Sequence, residues 1–220
     1  MGGFLQEFVQ VVVSGAALGC IYGLIALGFV LIYKATEMVN FAQGDLLMLG
    51  AFVAYMLIAE MGMPYWLGLF LAVVLLAAFG YLLDALVLRW VIGQPQFAVV
   101  MLTIGLGFVL RTAAGTIWGY DPLSFETPFT NKMLGGEFLA IGQENVAIIV
   151  GTLLLCLVLY LFFKYTRIGV AMQAASQNQL AAYYMGIPVR RVFSLIWAIS
   201  AGVAVVAGVL VSPLTLIDPN

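Results

Sequence analysis

Residues 66–92 read WLGLFLAVVLLAAFGYLLDALVLRWVI, twenty-seven positions with only two charges, Asp84 and Arg89, both in the final third. A helix that crosses the hydrocarbon core of a bilayer needs about 20 predominantly apolar residues. This stretch meets that length without a turn signal. The rest of the chain agrees with it. Of 220 residues, 65% are hydrophobic and 8% are charged, against roughly 25% charged in a soluble domain. So few charges cannot cover a water-facing surface, which leaves lipid as the surrounding medium.

Reading outward between charges and turn residues gives six candidate spans, roughly 8–33, 46–60, 66–92, 97–117, 146–163 and 192–212. The expected fold is all-α, a polytopic transmembrane helical bundle. The start, Met1 to Glu7, is acidic and lacks a small-residue cleavage site, so the first run reads as a retained span. The second span is short, and its approach, Asn40-Phe41-Ala42-Gln43-Gly44-Asp45, is polar. That pattern predicts a broken or partly re-entrant helix, buried in protein or lining a cavity, because irregular backbone cannot face lipid. A cytoplasmic turn with a helix cap is the other reading of the same residues.

Charge asymmetry orients the bundle. With the N-terminus outside, Lys34, Arg89, Lys164, Arg167, Arg190 and Arg191 fall on the cytoplasmic side, and only Lys132 falls in an external loop. That loop, 118–145, carries Asp121, Glu126, Glu137 and Glu144. Tyr65, Trp66, Trp118 and Tyr120 would form an outer aromatic belt, and Tyr33, Trp90 and Tyr165 an inner one.

The composition also excludes several chemistries. The chain has no histidine, which removes Ser–His and Cys–His nucleophiles and most metal sites. Cys20 and Cys156 lie in apolar runs and read as small buried hydrophobes. A net charge of −2 offers no basic face to nucleic acid. Gly105-Leu106-Gly107 sits inside an apolar span, without the strand and helix a phosphate loop needs. No metal or cofactor is expected, and any ATP must be hydrolysed by a partner.

Three polar features remain inside the spans. Gly15, Gly19 and Gly23 recur every four residues and share a face that lets another helix approach, either as ordinary packing or as a moving interface. Arg111 lies toward the outer third of its span and reads as a snorkelling or helix-bracing residue rather than a solute contact. Asp84 lies near the inner end of its span, where solvation or an interhelical bond is expected.

Residues 164–191, KYTRIGVAMQAASQNQLAAYYMGIPVRR, hold basic clusters at both ends and no charge between them. Ala, Met, Gln and Leu favour helix, and Gly186 and Pro188 stop it. A short helix anchored at the inner surface and free to dock on a partner is the expectation; a structured linker is the bland alternative.

Here a family resemblance becomes specific. Leu180-Ala181-Ala182-Tyr183-Tyr184-Met185-Gly186 resembles the Glu-Ala-Ala…Gly motif of ATP-binding-cassette importer permeases, with Leu180 in the Glu position. Thr166-Arg167-Ile168-Gly169, Tyr22 to Tyr33, Asn40 to Gly44, Thr103 to Gly107 with Arg111, and Ala207 to Leu210 with Pro213 resemble the high-affinity branched-chain amino-acid permeases. Urea and amide permeases share much of the pattern.

The resemblance implies a single permease domain over 1–220, with 164–191 as its cytoplasmic coupling segment. It implies a second permease subunit, cytoplasmic ATPase subunits and a periplasmic solute-binding protein as partners, in the lipid of a bacterial inner membrane. It assigns Ala174, Asn178, Ala181, Ala182 and Gly186 to the ATPase contact, with an apolar contact at Leu180 in place of a charge. Asn40, Phe41, Gln43, Gly44 and Thr103 are the candidate substrate path. Family members run longer, with further spans, so a truncated permease is expected. Two other classes compete. One is an intramembrane hydrolase using Asp45 and Asp84 as an aspartyl pair, which needs the carboxylates close enough to share a proton. The other is a channel or secondary transporter, which needs neither an ATPase nor a docking segment.

Overall fold

The computed structural model describes residues 2–91, 93–125, 127–129, 133–134 and 141–219. Ile92, Glu126, Lys132, Glu137 and Asn220 lie outside the described residues. Among the described residues, eight α-helices follow one another: α1 (Gly2–Thr36), α2 (Gln43–Tyr55), α3 (Tyr65–Leu86), α4 (Gln96–Trp118), α5 (Gln143–Tyr165), α6 (Arg167–Gln177), α7 (Gln179–Tyr184) and α8 (Val189–Val211). A π-helical turn, Met56–Glu60, extends α2, and a 3-10 turn, Leu88–Trp90, follows α3. Among the described residues, six helices are long and apolar enough to cross a membrane. Pro64, Pro95 and Pro188 immediately precede α3, α4 and α8. Proline there loses no helical hydrogen bond and presets the chain's entry.

The helices are unequally buried, and this sets the architecture. In α8, 67% of the most apolar stretch is buried, against 11% in α5. Helix α8 packs on α1, α2 and α3 and forms the axle of the bundle. Glycines let the backbones close on it. A Cβ on Gly80 would lie 2.7 Å from the Trp197 carbonyl oxygen, and one on Gly208 would lie 2.6 Å from that of Leu47. Both are closer than packed atoms allow, so only glycine fits. The α1 glycines behave differently. Among the described residues, nothing apart from the backbone of α1 itself lies within 4 Å of a Cβ at Gly15, Gly19 or Gly23, so that face is left unpacked by the other described helices.

The loop between α4 and α5 contains β structure that the apolar pattern does not predict. Met133–Leu134 pairs antiparallel with Ile141–Gly142. Leu123 and Ile217 exchange two backbone hydrogen bonds of 2.9 Å, tying the segment after α8 to the loop after α4. Trp118 also departs from the belt expectation, because its ring stacks on Phe52 at 5.2 Å and caps the core. Trp66 and Trp90 remain exposed, as belt residues would be.

Candidate functional site

The segment between α1 and α2 turns back into the bundle. Glu37, at φ 57°, reverses the chain after α1. The next residues run inward along α4. The Phe41 N–H donates to Thr103 Oγ1 at 3.3 Å, and Thr103 is the eighth residue of α4. Gln43, the first residue of α2, then reaches Ser200, the twelfth of 23 residues in α8, at 3.2 Å. Its amide nitrogen also fills the space that a side chain on Gly28 would need. Gly28 lies eight residues before the end of α1, about 12 Å along the helix at 1.5 Å per residue. Helix α2 therefore begins well inside the bundle, not at its inner rim. The broken-helix reading holds, and the cytoplasmic-turn reading does not.

The five path candidates meet at this start. The Ala42 N–H donates to Asn40 Oδ1 at 3.1 Å, and Asn40 Nδ2 donates to Gln43 Oε1 at 3.3 Å. These bonds hold the entry in place of a Ser or Asp cap. Asn40, Gln43 and Thr103 are buried, whereas Phe41 and Gly44 are exposed on the outside of the chain. The first N–H groups of a helix have no intrahelical acceptor. With the helix dipole they make this end partially positive. The arrangement can hold a polar or anionic group beside apolar walls.

Two charged clusters brace the surroundings. Asp45, in the first turn of α2, pairs with Arg111 of α4. Arg111 is thus a helix brace, as its sequence position suggests. Asp84 is fully buried and accepts a 2.6 Å hydrogen bond from the Ser194 hydroxyl of α8. Arg89 Nη2 donates to the same hydroxyl at 3.0 Å and lies 4.0 Å from the Asp84 carboxylate. Asp45 and Asp84 are therefore held by different partners, and no carboxylate pair forms. That removes the geometry of an aspartyl hydrolase. Among the described residues, no cluster of His, Cys, Asp or Glu has the make-up of a metal site.

The segment between the two basic clusters is an elbow of two helices rather than one. Thr166 caps α6 by accepting from the Gly169 N–H at 3.0 Å, and Asn178 caps α7 by accepting from the Ala181 N–H at 2.9 Å. Gly169 packs on the backbone of Phe162 and Phe163, so a side chain there would force α6 away from α5. At the end of α7, Gly186 N–H donates to Tyr183 O and Ile187 N–H to Ala182 O, both at 3.0 Å. This pair of bonds is the Schellman motif, with Gly186, at φ +82°, in the left-handed position. The reason for glycine is this backbone angle and not a clash, since the space around it is open within the chain.

The carried-over contact residues split. Asn178, Ala181 and Gly186 are exposed and Ala174 is half-buried, but Ala182 turns inward against the core shared with Met172 and Ile196. Exposed instead are Leu180, Tyr183, Tyr184 and Met185, the last at 83%. The motif spacing did not single out the last three, although three consecutive large side chains beside a helix-stopping glycine are themselves a signal.

A helix that starts inside the bundle, six spans and a capped elbow of two short helices together fit a transport permease. The model of the family described as branched-chain amino acid transport system / permease component matches residues 11–219, and the chain belongs to that family. It is 30% identical over 215 residues to the high-affinity branched-chain amino acid transport system permease protein LivH of Escherichia coli, covering 92% of this chain and 70% of that protein. LivH of Salmonella typhimurium is 29% identical over the same shares. BraD of Pseudomonas aeruginosa is 28% identical over 218 residues, covering 94% of this chain and 71% of BraD. No solved structure matches the chain.

Proposed function

We propose that the chain forms part of the translocation path for branched-chain amino acids in an ATP-binding-cassette importer. It sits in a bacterial inner membrane with its N-terminus outside, which puts six of its basic residues on the cytoplasmic side. It forms a single permease domain. A second permease subunit completes the path, cytoplasmic ATPase subunits dock on 164–191, and a periplasmic binding protein delivers solute. The names of its relatives support the solute, and the family supports a multi-component system.

The observation that carries the reading is the start of α2. Phe41 and Gly44 expose that helix end at mid-depth, beside the half-exposed Arg111. Unsatisfied backbone groups cost several kcal/mol in lipid. The face therefore needs protein or a polar cavity against it, which a second permease subunit and a solute path supply. Open helix ends near the midplane are what transporters use to bind polar groups. Phe41 and Gly44 then line the path with the buried Asn40, Gln43 and Thr103 holding them from behind, while Ala174, Asn178, Ala181 and Gly186 meet the ATPase and Ala182 seats the helix that carries them.

Two measurements test this. The tagged chain, extracted in mild detergent, is probed for a bound ATPase with and without residues 169–187; capture that needs the segment is expected. Uptake of leucine, isoleucine and valine into proteoliposomes holding the full assembly is expected to require ATP. Equal uptake of urea or short amides would move the chain to the amide branch. Uptake driven by an ion gradient without ATPase would remove the importer reading.

A further inference from the structure

Helix α8 connects the cytoplasmic elbow to the start of α2, and beyond the exposed Arg190 and Arg191 its two hydroxyls, Ser194 and Ser200, are buried at its contacts. The connection at its lower end is stiff. Gly186 and Ile187 are bonded back to α7, the Val189 N–H donates to Ile187 O at 2.8 Å, and the Val192 N–H donates to Pro188 O at 3.1 Å. A displacement of α7 therefore reaches α8 without a slack loop to absorb it. Above this joint, the Ser194 hydroxyl bonds Asp84, so α3 and Arg89 of the 3-10 turn that follows it grip α8 near its inner end.

Six residues further on, about 9 Å along the axis, Ser200 is completely buried. Its hydroxyl donates to the Gly28 carbonyl at 2.9 Å and lies 3.2 Å from Gln43 Oε1. One proton serves both acceptors, so α1, α2 and α8 meet at a single atom. Gln43 in turn accepts from Asn40, which holds the Ala42 N–H. Ser200 thus lies one hydrogen bond from the path candidates and one rigid helix from the elbow.

We infer that Ser200 is the positioning residue that passes movement of the cytoplasmic elbow to the solute path by holding Gln43 against α1 and α8. This deepens the importer reading and rests on it. A hydroxyl shared between a main-chain carbonyl of α1 and a side-chain amide of α2 is suited to the task. Rotation or sliding of α8 moves the proton from one acceptor to the other and releases Gln43, and with it Asn40 and the entry to α2.

The test is the ratio of ATP hydrolysed to leucine taken up, measured in proteoliposomes with the complete assembly. Ser200→Ala is expected to leave ATPase capture unchanged and to raise that ratio about fivefold, the population change set by one net hydrogen bond. Ser200→Thr, which keeps the hydroxyl, is expected to restore it. If the Ala variant does not assemble, Ser200→Cys fills the same space with a weak donor and is read in the same way. An unchanged ratio in a folded variant, beside a coupled unmodified assembly, overturns the inference alone. An unmodified assembly whose hydrolysis does not respond to solute overturns both this inference and the importer reading.

Discussion

Arg111 Nε of α4 lies 2.5 Å from Asp45 Oδ1 in the first turn of α2. Arg111 is the sixteenth residue of its helix and Asp45 the third of its own, so the pair joins the upper part of one span to the beginning of another. Gly107, one turn below Arg111, has no side chain, and the Asp45 carboxylate occupies that space. The pair fixes where α2 starts.

Removing Arg111 strands a buried carboxylate. Arg111→Ala is expected to destabilise the bundle by about 1–3 kcal/mol, the penalty for a buried group left without its partner. Asp45→Asn with Arg111→Gln, which removes both charges, should recover most of the loss. Thermal unfolding of the detergent-solubilised chain reads both variants. Equal stability of Arg111→Ala and the unmodified chain would show that the pair does not brace α2.

The glycines should divide by location. Gly80→Ala and Gly208→Ala place a methyl within 2.8 Å of packed atoms on facing helices. Overpacking of this kind costs typically about 1–3 kcal/mol. Gly19→Ala meets nothing within 4 Å and should be neutral or slightly stabilising in the isolated chain, since alanine is the better helix former by about 1 kcal/mol. The same thermal measurement decides. A large loss at Gly19 would mean that the exposed face of α1 is packed by something in the isolated sample.

Gly186 separates backbone from side-chain effects. Gly186→Ala should cost about 1–2 kcal/mol, because the left-handed conformation disfavours a Cβ. Gly186→Asn tolerates that conformation better and should retain more ATPase capture than Ala. Gly186→Asp adds a charge at the exposed tip and should lower solute-stimulated hydrolysis while the membrane helices stay folded. Equal capture by the Ala, Asn and Asp variants would take Gly186 out of the docking surface.

The Asp84 cluster should matter for packing and not for hydrolysis of peptides. Ser194→Ala leaves the fully buried Asp84 without its closest hydrogen bond, for an expected loss of about 1–3 kcal/mol. Asp84→Asn should impair transport and reveal no peptide cleavage to abolish. A cleavage activity lost in Asp84→Asn would reopen the hydrolase reading that the separate partners of Asp45 and Asp84 exclude.

The six spans, the polar interruption before the second and a helical segment between two basic clusters were all legible in the sequence, but the choice between a broken helix and a turn, and the division of that segment into two capped helices, were not. Each legible feature is a local property: apolar run length against bilayer thickness, amide and glycine residues where a helix cannot start smoothly, and uncharged helix formers between basic anchors. The bracing role of Arg111 was legible for the same reason, since a charge in an apolar run must find a partner. Which partner was not legible, because Asp45 lies 66 positions away and no periodicity links them. Nor did spacing reveal that Asn40 and Gln43 sit at mid-depth beside Ser200, that Ala182 turns inward while Tyr183 and Met185 face out, or that Gly28, Gly80 and Gly208 make close contacts whereas the evenly spaced Gly15, Gly19 and Gly23 do not. Those facts depend on how helices of nearly uniform apolarity sort themselves around one another. When every face of a span is hydrophobic, the pattern no longer marks the inside. Backbone approach at glycines and the pairing of a few buried polar groups then select the arrangement, and both exist only in the tertiary structure.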